Sequence, residues 1–309
     1  MRLALIAGRS TPTSDALCCA AIAGGSWEQL TPQEALRSLR PGDGALGRLD
    51  VRPTLDGVDA GLWALGALAA RGVQVLNDPA ALLATHDKLV TARILRREAI
   101  PHPETVHVRD ALPGRPFTMP VVVKPRFGSG GLDVFRCDDS DALVDALALV
   151  RERRWYAAHG ALVQELVLPQ GYDLRILVAG GRVVGAVHRI AAEGEWRTNV
   201  SLGATRQPVT DLPRSASALA VAAARATGAS LVGVDLLPTP AGGWTVVELN
   251  GAVEFTSAYS EWADVFSATA SALAREVRER LARAERPPRE EPRGPDVLWR
   301  DGLSVDPLT

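Results

Sequence analysis

Two lysines, Lys88 and Lys124, stand among 32 arginines in this chain. Arginine serves as well as lysine on most surfaces, but a planar guanidinium cannot replace a compact ammonium in a tight space. Lys124 ends the apolar run Met119–Lys124, two residues before the loop Arg126-Phe-Gly-Ser-Gly-Gly. A lysine on a buried strand needs an anionic partner. A glycine-rich loop directly after that strand, here Gly128, Ser129, Gly130 and Gly131, exposes backbone N–H groups at low steric cost. A glycine loop alone is more often a plain turn, and this one fits neither GxxxxGK[ST] nor GxGxxG. Loop and ammonium together point to a cradle for nucleotide phosphate.

Asparagine is as scarce as lysine, with Asn77, Asn199 and Asn250 alone. In WTVVELN, Glu248 and Asn250 are two apart, so they share one strand face at roughly 6.5–7 Å spacing. Asp235 interrupts the apolar run LVGVDLL on the expected partner strand. Two carboxylates and an amide inside an apolar hairpin need a cation to offset their burial, and oxygen-only donors suit Mg²⁺ or Mn²⁺. A solvated sheet face is the competing reading. The five histidines show no HExxH or comparable metal spacing. Asp173 and Arg175 share a face of the preceding hairpin, Arg189 ends its return strand, and Asn199 follows in the loop. Arginines beside a metal and a phosphate cradle suit chemistry at a phosphoryl group.

The elements that must hold these residues read as α/β followed by α+β. Residues 1–77 alternate short strands (Leu3–Ala7, Gly44–Asp50, Val73–Leu76) with helices from about Ser14 and over Asp59–Ala70, which predicts a parallel sheet. Ligands of such sheets sit beyond the strands' carboxyl ends, which makes Arg48, Asp50 and Arg52 candidates for substrate contact, against the plainer reading of a solvated charged loop. A single helix is expected over Asp78–Ala99, capped by Asn77 or Asp78 and opened by Pro79. Strands Met119–Pro125 and Ala161–Val167 with helix Ala142–Arg151 predict a small subdomain over about 104–168. Hairpins follow at Tyr172–Ile190, turning on Gly180-Gly181, and at Leu231–Asn250, with helices over Ser215–Thr227 and Ser267–Arg283. The Pro- and charge-rich end, 286–309, is expected to be disordered.

Composition narrows the setting. A net charge of −2 gives no field that would draw nucleic acid or an anionic membrane. No apolar run approaches the ~18 residues of a membrane span, and the apolar start is too short for a signal peptide. Cys18, Cys19 and Cys137 lack CxxC spacing, which argues against a disulfide framework or structural zinc. A reduced, cytoplasmic protein is the expectation.

The ordered segments DKLVTARILRREAIPHPET, MPVVVKPRFGSGGLDV, VQELV, YDLRILVAGGRVVGAVHRI, TNVSLGA, GVDLL and VVELN, across roughly residues 77–255, resemble the ATP-grasp superfamily. Within it the chain is most similar to the RimK-like carboxylate–amine ligases. The resemblance implies an ATP-grasp fold with an N-terminal α/β domain over 1–85. An ATP-grasp domain over 86–285 would carry a lid subdomain and a C-terminal antiparallel sheet. Lys88 and Lys124 would hold ATP phosphates under the Gly128–Gly131 cover. Gln164, Glu165, Leu166 and Val167 would form the adenine hinge, with Asp173 near the ribose. Asp235, Glu248 and Asn250 would bind two Mg²⁺ (or Mn²⁺) ions. Arg175, Arg189 and Asn199 would meet the acceptor carboxylate and the transferred phosphoryl.

Two departures bear on the subfamily. The loop carries Asp133 where a small or basic residue and a glycine are usual. Glu248, Asn250, Glu254 and Phe255 follow the LysX-type pattern without its usual intervening residues, which leans the chain toward that side and adds Glu254 to the substrate candidates. The expected activity is ADP-forming amide synthesis through an acyl phosphate, with an amino acid added to a carrier protein, a peptide or a small acceptor. The superfamily's habit predicts a homo-oligomer, dimer or tetramer. A nucleotide-binding regulator without ligase activity, or an ATP-grasp enzyme with another phosphoryl acceptor, are the alternatives.

Overall fold

The computed structural model describes residues 1–110, 117–261 and 263–285, so the expectation for 286–309 falls outside the described residues. Strands β1 (Leu3–Ile6), β2 (Trp27–Leu30), β3 (Gly44–Gly47) and β4 (Gln74–Leu76) form a parallel sheet in the order β2-β1-β3-β4. Helices α1 (Pro12–Cys19), α2 (Pro32–Ser38) and α3 (Leu62–Ala70) join them. The strand order reverses between β1 and β3, so the crevice at their carboxyl ends is where such a sheet receives a ligand. β3 stops at Gly47, short of the expected Asp50, and Arg48 takes the first buried position beyond it. β2 was hidden from sequence because WEQL has neither alternation nor a continuous apolar run.

The helix expected over 78–99 is two helices, α4 (Pro79–His86) and α5 (Lys88–Arg97). Asp87 separates them in an extended conformation, and its carboxylate accepts from the backbone N–H groups of Leu89 and Val90. Apolar periodicity runs through the break. The N-cap at Asp87 therefore leaves no mark on the periodicity.

A second sheet, in the order β5-β8-β6-β7, is antiparallel throughout: β5 (Thr105–Val108), β6 (Val121–Pro125), β7 (Phe135–Cys137) and β8 (Ala161–Glu165). Helices α6 (Ser140–Arg151) and α7 (Arg154–His159) back it and bury Leu143, Leu147, Val150 and Trp155 against Val121 and Val123.

The third sheet carries the polar face that matters below. Its order is β11-β10-β9-β12-β13, from β9 (Tyr172–Ala179), β10 (Arg182–Ile190), β11 (Thr205–Pro208), β12 (Leu231–Pro238) and β13 (Trp244–Asn250). Gly180 and Gly181 turn the first hairpin, both at positive φ (+55° and +72°), as a tight hairpin turn demands. Alternation sends Leu174, Ile176 and Val178 to one face, where they pack on the alanines of α8 (Arg214–Thr227). Leu177, Ala179 and Val187 go to the other, against α9 (Val265–Ala284) and the first sheet. On that second face, toward the start of β9, the apolar residues give way to Asp173 and Arg175.

Candidate active site

A cleft lies between the second and third sheets. Strand register builds its floor. Asp173 opposes Arg189, Arg175 opposes Asp235, and Asp235 opposes Glu248, so charged side chains from four adjacent strands share one face. Asp235 accepts both arms of Arg175 at 2.6 and 2.7 Å, and a third bond from Arg189 at 2.8 Å. Arg189 also binds Asp173 through Nε at 2.8 Å and through its second terminal nitrogen. Thr198 closes the network with a 2.6 Å bond to Asp173. Burial pushes the Asp235 carboxyl up, but the Arg175 and Arg189 guanidiniums overcome it and hold the group below the usual carboxylate range. Burial wins at Asp173, whose carboxyl is raised despite Arg189.

Both lysines face this cleft. Lys88, the first residue of α5, donates to the Gly128 carbonyl at 2.7 Å and pairs with Glu248 at 3.0 Å. Lys124 is 6% exposed and donates to the Gln164 carboxamide at 2.6 Å. Burial first, and Lys88 second, push the Lys124 ammonium down to about 7, with Glu248 opposing. His102 lies behind Gln164 and is pushed down to about 4 by burial and by Lys124, so it is neutral.

The glycine loop roofs the same cleft. Gly130 and Gly131 have φ of +65° and +73°, and a Cβ at Gly131 would come within 2.8 Å of Asn199 Oδ1. The segment after β10 clasps the loop from outside: Arg197 donates to the Gly131 carbonyl at 3.1 Å and Ser201 to that of Gly130 at 2.7 Å. At the loop's other end Arg126 makes a bidentate pair with Asp87 at 2.8 and 2.5 Å, tying the roof to the start of α5.

The residues singled out from sequence divide between places. Lys88, Lys124, Gly128, Ser129, Gly130, Gly131, Gln164, Glu165, Leu166, Val167, Asp173, Arg189, Asn199, Asp235 and Glu248 all line the cleft. Gln164 does so by its side chain, because its backbone lies in the ladders to β5 and β6. Arg175 is not among the cleft-lining residues; its guanidinium is taken up by the Asp235 carboxylate. Asn250 opposes Gly233 and is not among the cleft-lining residues; its side-chain Oδ1 accepts from Ala252 N–H at 3.0 Å. Among the described residues no three His, Cys, Asp or Glu side chains converge as a metal cage. What the strands offer is two carboxylates and an amide, hard oxygen donors of the kind Mg²⁺ takes alongside phosphate oxygens. That donor set fits.

Arg48 and Glu254 belong to a second, smaller pocket at the carboxyl ends of β1 and β3, with Arg9, Asp50 and Asp59. Arg48 is buried, donates to the Val253 carbonyl at 3.2 Å and pairs with Glu254 at 2.7 Å. Arg52 is outside it. Its guanidinium folds back on its own loop, donating to the Val58 carbonyl at 2.9 Å, which corrects its assignment to substrate. Sequence reasoning missed Thr198, Arg197 and the Asp87–Arg126 pair. Thr198 stood next to Asn199, but Asp87 and Arg126 are 39 residues apart and carried no local signal.

Residues 85–264 match the model of the RimK-like ATP-grasp domain. The tetrahydromethanopterin:alpha-L-glutamate ligase of Methanosarcina acetivorans is 32% identical over 197 residues, 59% of this chain and 59% of that protein. The alpha-aminoadipate–LysW ligase LysX of Saccharolobus solfataricus is 30% identical over 188 residues, 60% of this chain and 68% of that protein. The crystal structure of a RimK domain ATP-grasp protein from Sphaerobacter thermophilus superposes with a TM-score of 0.64 at 24% identity, covering 87% of this chain and 98% of that one. At that identity the likeness speaks to fold, and the fold is ATP-grasp.

Proposed function

This chain belongs to the RimK-like ATP-grasp family, and from that premise we propose that it is an ADP-forming carboxylate–amine ligase. Residues 1–85 serve as its pre-ATP-grasp domain and 86–285 as its ATP-grasp domain. One observation carries the reading: the chain's two lysines and the carboxylates of Asp235 and Glu248 face a single cleft under a glycine-rich roof.

In this reading ATP lies with its adenine along Glu165–Val167 and its ribose toward Asp173. Lys88 and Lys124 hold the phosphates beneath Gly128–Gly131. Glu248, Asp235 and Asn250 would hold divalent metal, which supplies charge neutralisation on the transferring phosphoryl group. The acceptor carboxylate attacks the γ-phosphorus, the bond to the bridging oxygen breaks, and ADP leaves. Arg189, fixed by two carboxylates, presents its cationic edge to the phosphoryl without reorganising. The amine then attacks the acyl phosphate, forming the amide, releasing phosphate and losing a proton. The clasp of Arg197 and Ser201 on the glycine loop keeps water from the acyl phosphate.

The second pocket, with Arg48 and Glu254, is where the amino-acid substrate enters, because it opens at the switch point of the parallel sheet. The relatives' names, a glutamate ligase and a LysW ligase, favour an amino acid as amine and a carrier protein, peptide or small molecule as carboxylate. The test is ADP release screened over amino-acid pairs, with and without hydroxylamine. Trapped hydroxamate that requires one carboxylate partner supports the ligase. ATP binding with no substrate-dependent ADP release overturns it.

A further inference from the structure

Asp133 is the one residue of the glycine-loop segment that the phosphate cradle does not explain. A carboxylate next to a triphosphate would repel it. The structure turns this side chain the other way: its Oδ2 accepts from the indole N–H of Trp155 at 2.7 Å, and its Oδ1 lies 3.5 Å from Arg153 Nε. Trp155 is buried in the core of the second sheet, so this end of the loop is tied to a fixed body. The neighbours of Asp133 in sequence, Leu132 and Val134, line the cleft instead. The backbone at Asp133 has φ of +52°, a separate left-handed position beyond the Gly130–Gly131 pair, with Leu132 between them. Aspartate tolerates that region better than most residues. A glycine there would be free to leave it.

We propose that Asp133 is a positioning residue: its bond to Trp155 sets the left-handed turn that lays the Gly130–Val134 backbone over the phosphate end of the cleft. The proposal rests on the nucleotide reading above. It makes Asp133 and Trp155 one unit, acting on the phosphates through the loop and touching no reactant. Arg197 grips the same backbone from the opposite side, at the Gly131 carbonyl. The roof is thus pinned at one rim by the second sheet and clasped at the other by the third.

Trp155→Phe removes the donor and keeps the packed ring, while Asp133→Gly removes the acceptor and keeps the turn accessible. Asp133→Asn retains an acceptor and a tolerance for positive φ. Calorimetry with AMP-PNP plus Mg²⁺, and separately with adenosine, reads the phosphate and base ends of the cleft. A charge-assisted bond of this kind supports a loss of about tenfold. We expect AMP-PNP affinity to fall by that factor in Trp155→Phe and in Asp133→Gly, with adenosine affinity unchanged, and Asp133→Asn, which keeps a neutral acceptor, to lose less than either. The double variant Asp133→Gly/Trp155→Phe should bind no worse than the weaker single variant. Unaltered AMP-PNP affinity in Trp155→Phe, or equal losses for both probes, overturns the proposal. Wild-type protein that binds neither probe overturns the nucleotide reading itself, and this proposal with it.

Discussion

Lys88 Nζ lies 3.0 Å from Glu248 Oε1 and 2.7 Å from the Gly128 carbonyl, so one ammonium joins α5, β13 and the glycine roof. The three elements are far apart in sequence. Their meeting depends on the break at Asp87, which starts α5 at the cleft wall and makes Lys88 its first residue. Asp87 in turn holds Arg126 at the base of the loop. The helix break and the loop's placement are therefore one feature.

Glu248 pairs with Lys88 at 3.0 Å, and its side chain is 29% exposed. Asp235, by contrast, is enclosed by two guanidiniums. Glu248→Ala should lower ADP formation by about 10²–10³, the cost of losing one strong electrostatic contact at a transferring group. Its thermal midpoint should stay near that of wild type, because little burial is lost. Full turnover in this variant would remove Glu248 from the metal site.

Nucleotide binding should take up protons. Burial, and Lys88 after it, push the Lys124 ammonium down to about 7, which favours the neutral amine above that pH in the empty cleft. A triphosphate beside it favours the ammonium and raises its pKa on binding. Affinity for AMP-PNP should therefore weaken as pH rises from 6 to 9, by at most about tenfold per pH unit. At pH 8, calorimetry in buffers of different ionisation enthalpy should report uptake of a fraction of a proton, lost in Lys124→Met. The same lysine makes free-protein stability rise with pH between its folded value and 10.5, because the unfolded chain holds the proton longer.

The strands that carry charge were legible because each breaks an apolar pattern: Asp235 within LVGVDLL, Asp173 and Arg175 opening β9, Glu248 before Leu249. Period-two alternation put them on one face, and antiparallel pairing did the rest. The scarcity of lysine pointed to Lys88 and Lys124 before any contact was known. What stayed hidden depends on long-range pairing. Arg175 and Asp235 read as a substrate clamp and a metal ligand, and nothing local says that they bind each other across 60 residues. Arg52 looked like Arg48, yet four residues shift it from a buried post-strand position to a loop that satisfies it. Short β5 and β7 gave too few residues for a period to register.

That contrast is testable. Arg52→Ala should leave the KM for the amino-acid substrate unchanged and cost little stability, since its guanidinium is half exposed and braces only its own loop. Arg48→Ala should raise that KM and lower the unfolding midpoint, because it removes a buried side chain and leaves the Val253 carbonyl without its guanidinium donors. Equal kinetic effects from both would return Arg52 to the substrate site.

Gly131→Ala should damage nucleotide closure with modest damage to the fold. The new methyl would stand 2.8 Å from Asn199 Oδ1 and 3.0 Å from Leu202, at a φ of +73° that alanine resists. Asn199 must retreat or the loop must lift, and either opens the roof over the acyl phosphate. The readout is the ratio of ADP formed to amide formed. It should stay near one in wild type and rise in Gly131→Ala as water intercepts the intermediate. A ratio unchanged with slower turnover would mean that the roof does not guard the intermediate.

Arg189 carries both stability and chemistry, and a paired variant separates them. Asp173 and Asp235 are 3% and 6% exposed, and Arg189 bonds to both. Arg189→Ala leaves Asp173 the Thr198 hydroxyl, beside a second buried carboxylate. Breaking one partner out of such a buried network costs about 3–5 kcal/mol, measurable by urea denaturation. Asp235 keeps Arg175, so the loss should fall mainly on Asp173, whose carboxyl burial already raises. Arg189→Ala/Asp173→Asn should therefore recover much of the stability by deleting the stranded charge. It should not recover turnover, because the Arg189 guanidinium no longer faces the phosphoryl group. Recovery of both together would make Arg189 a structural counter-ion and move the charge stabilisation of the transfer to Lys88 and Lys124.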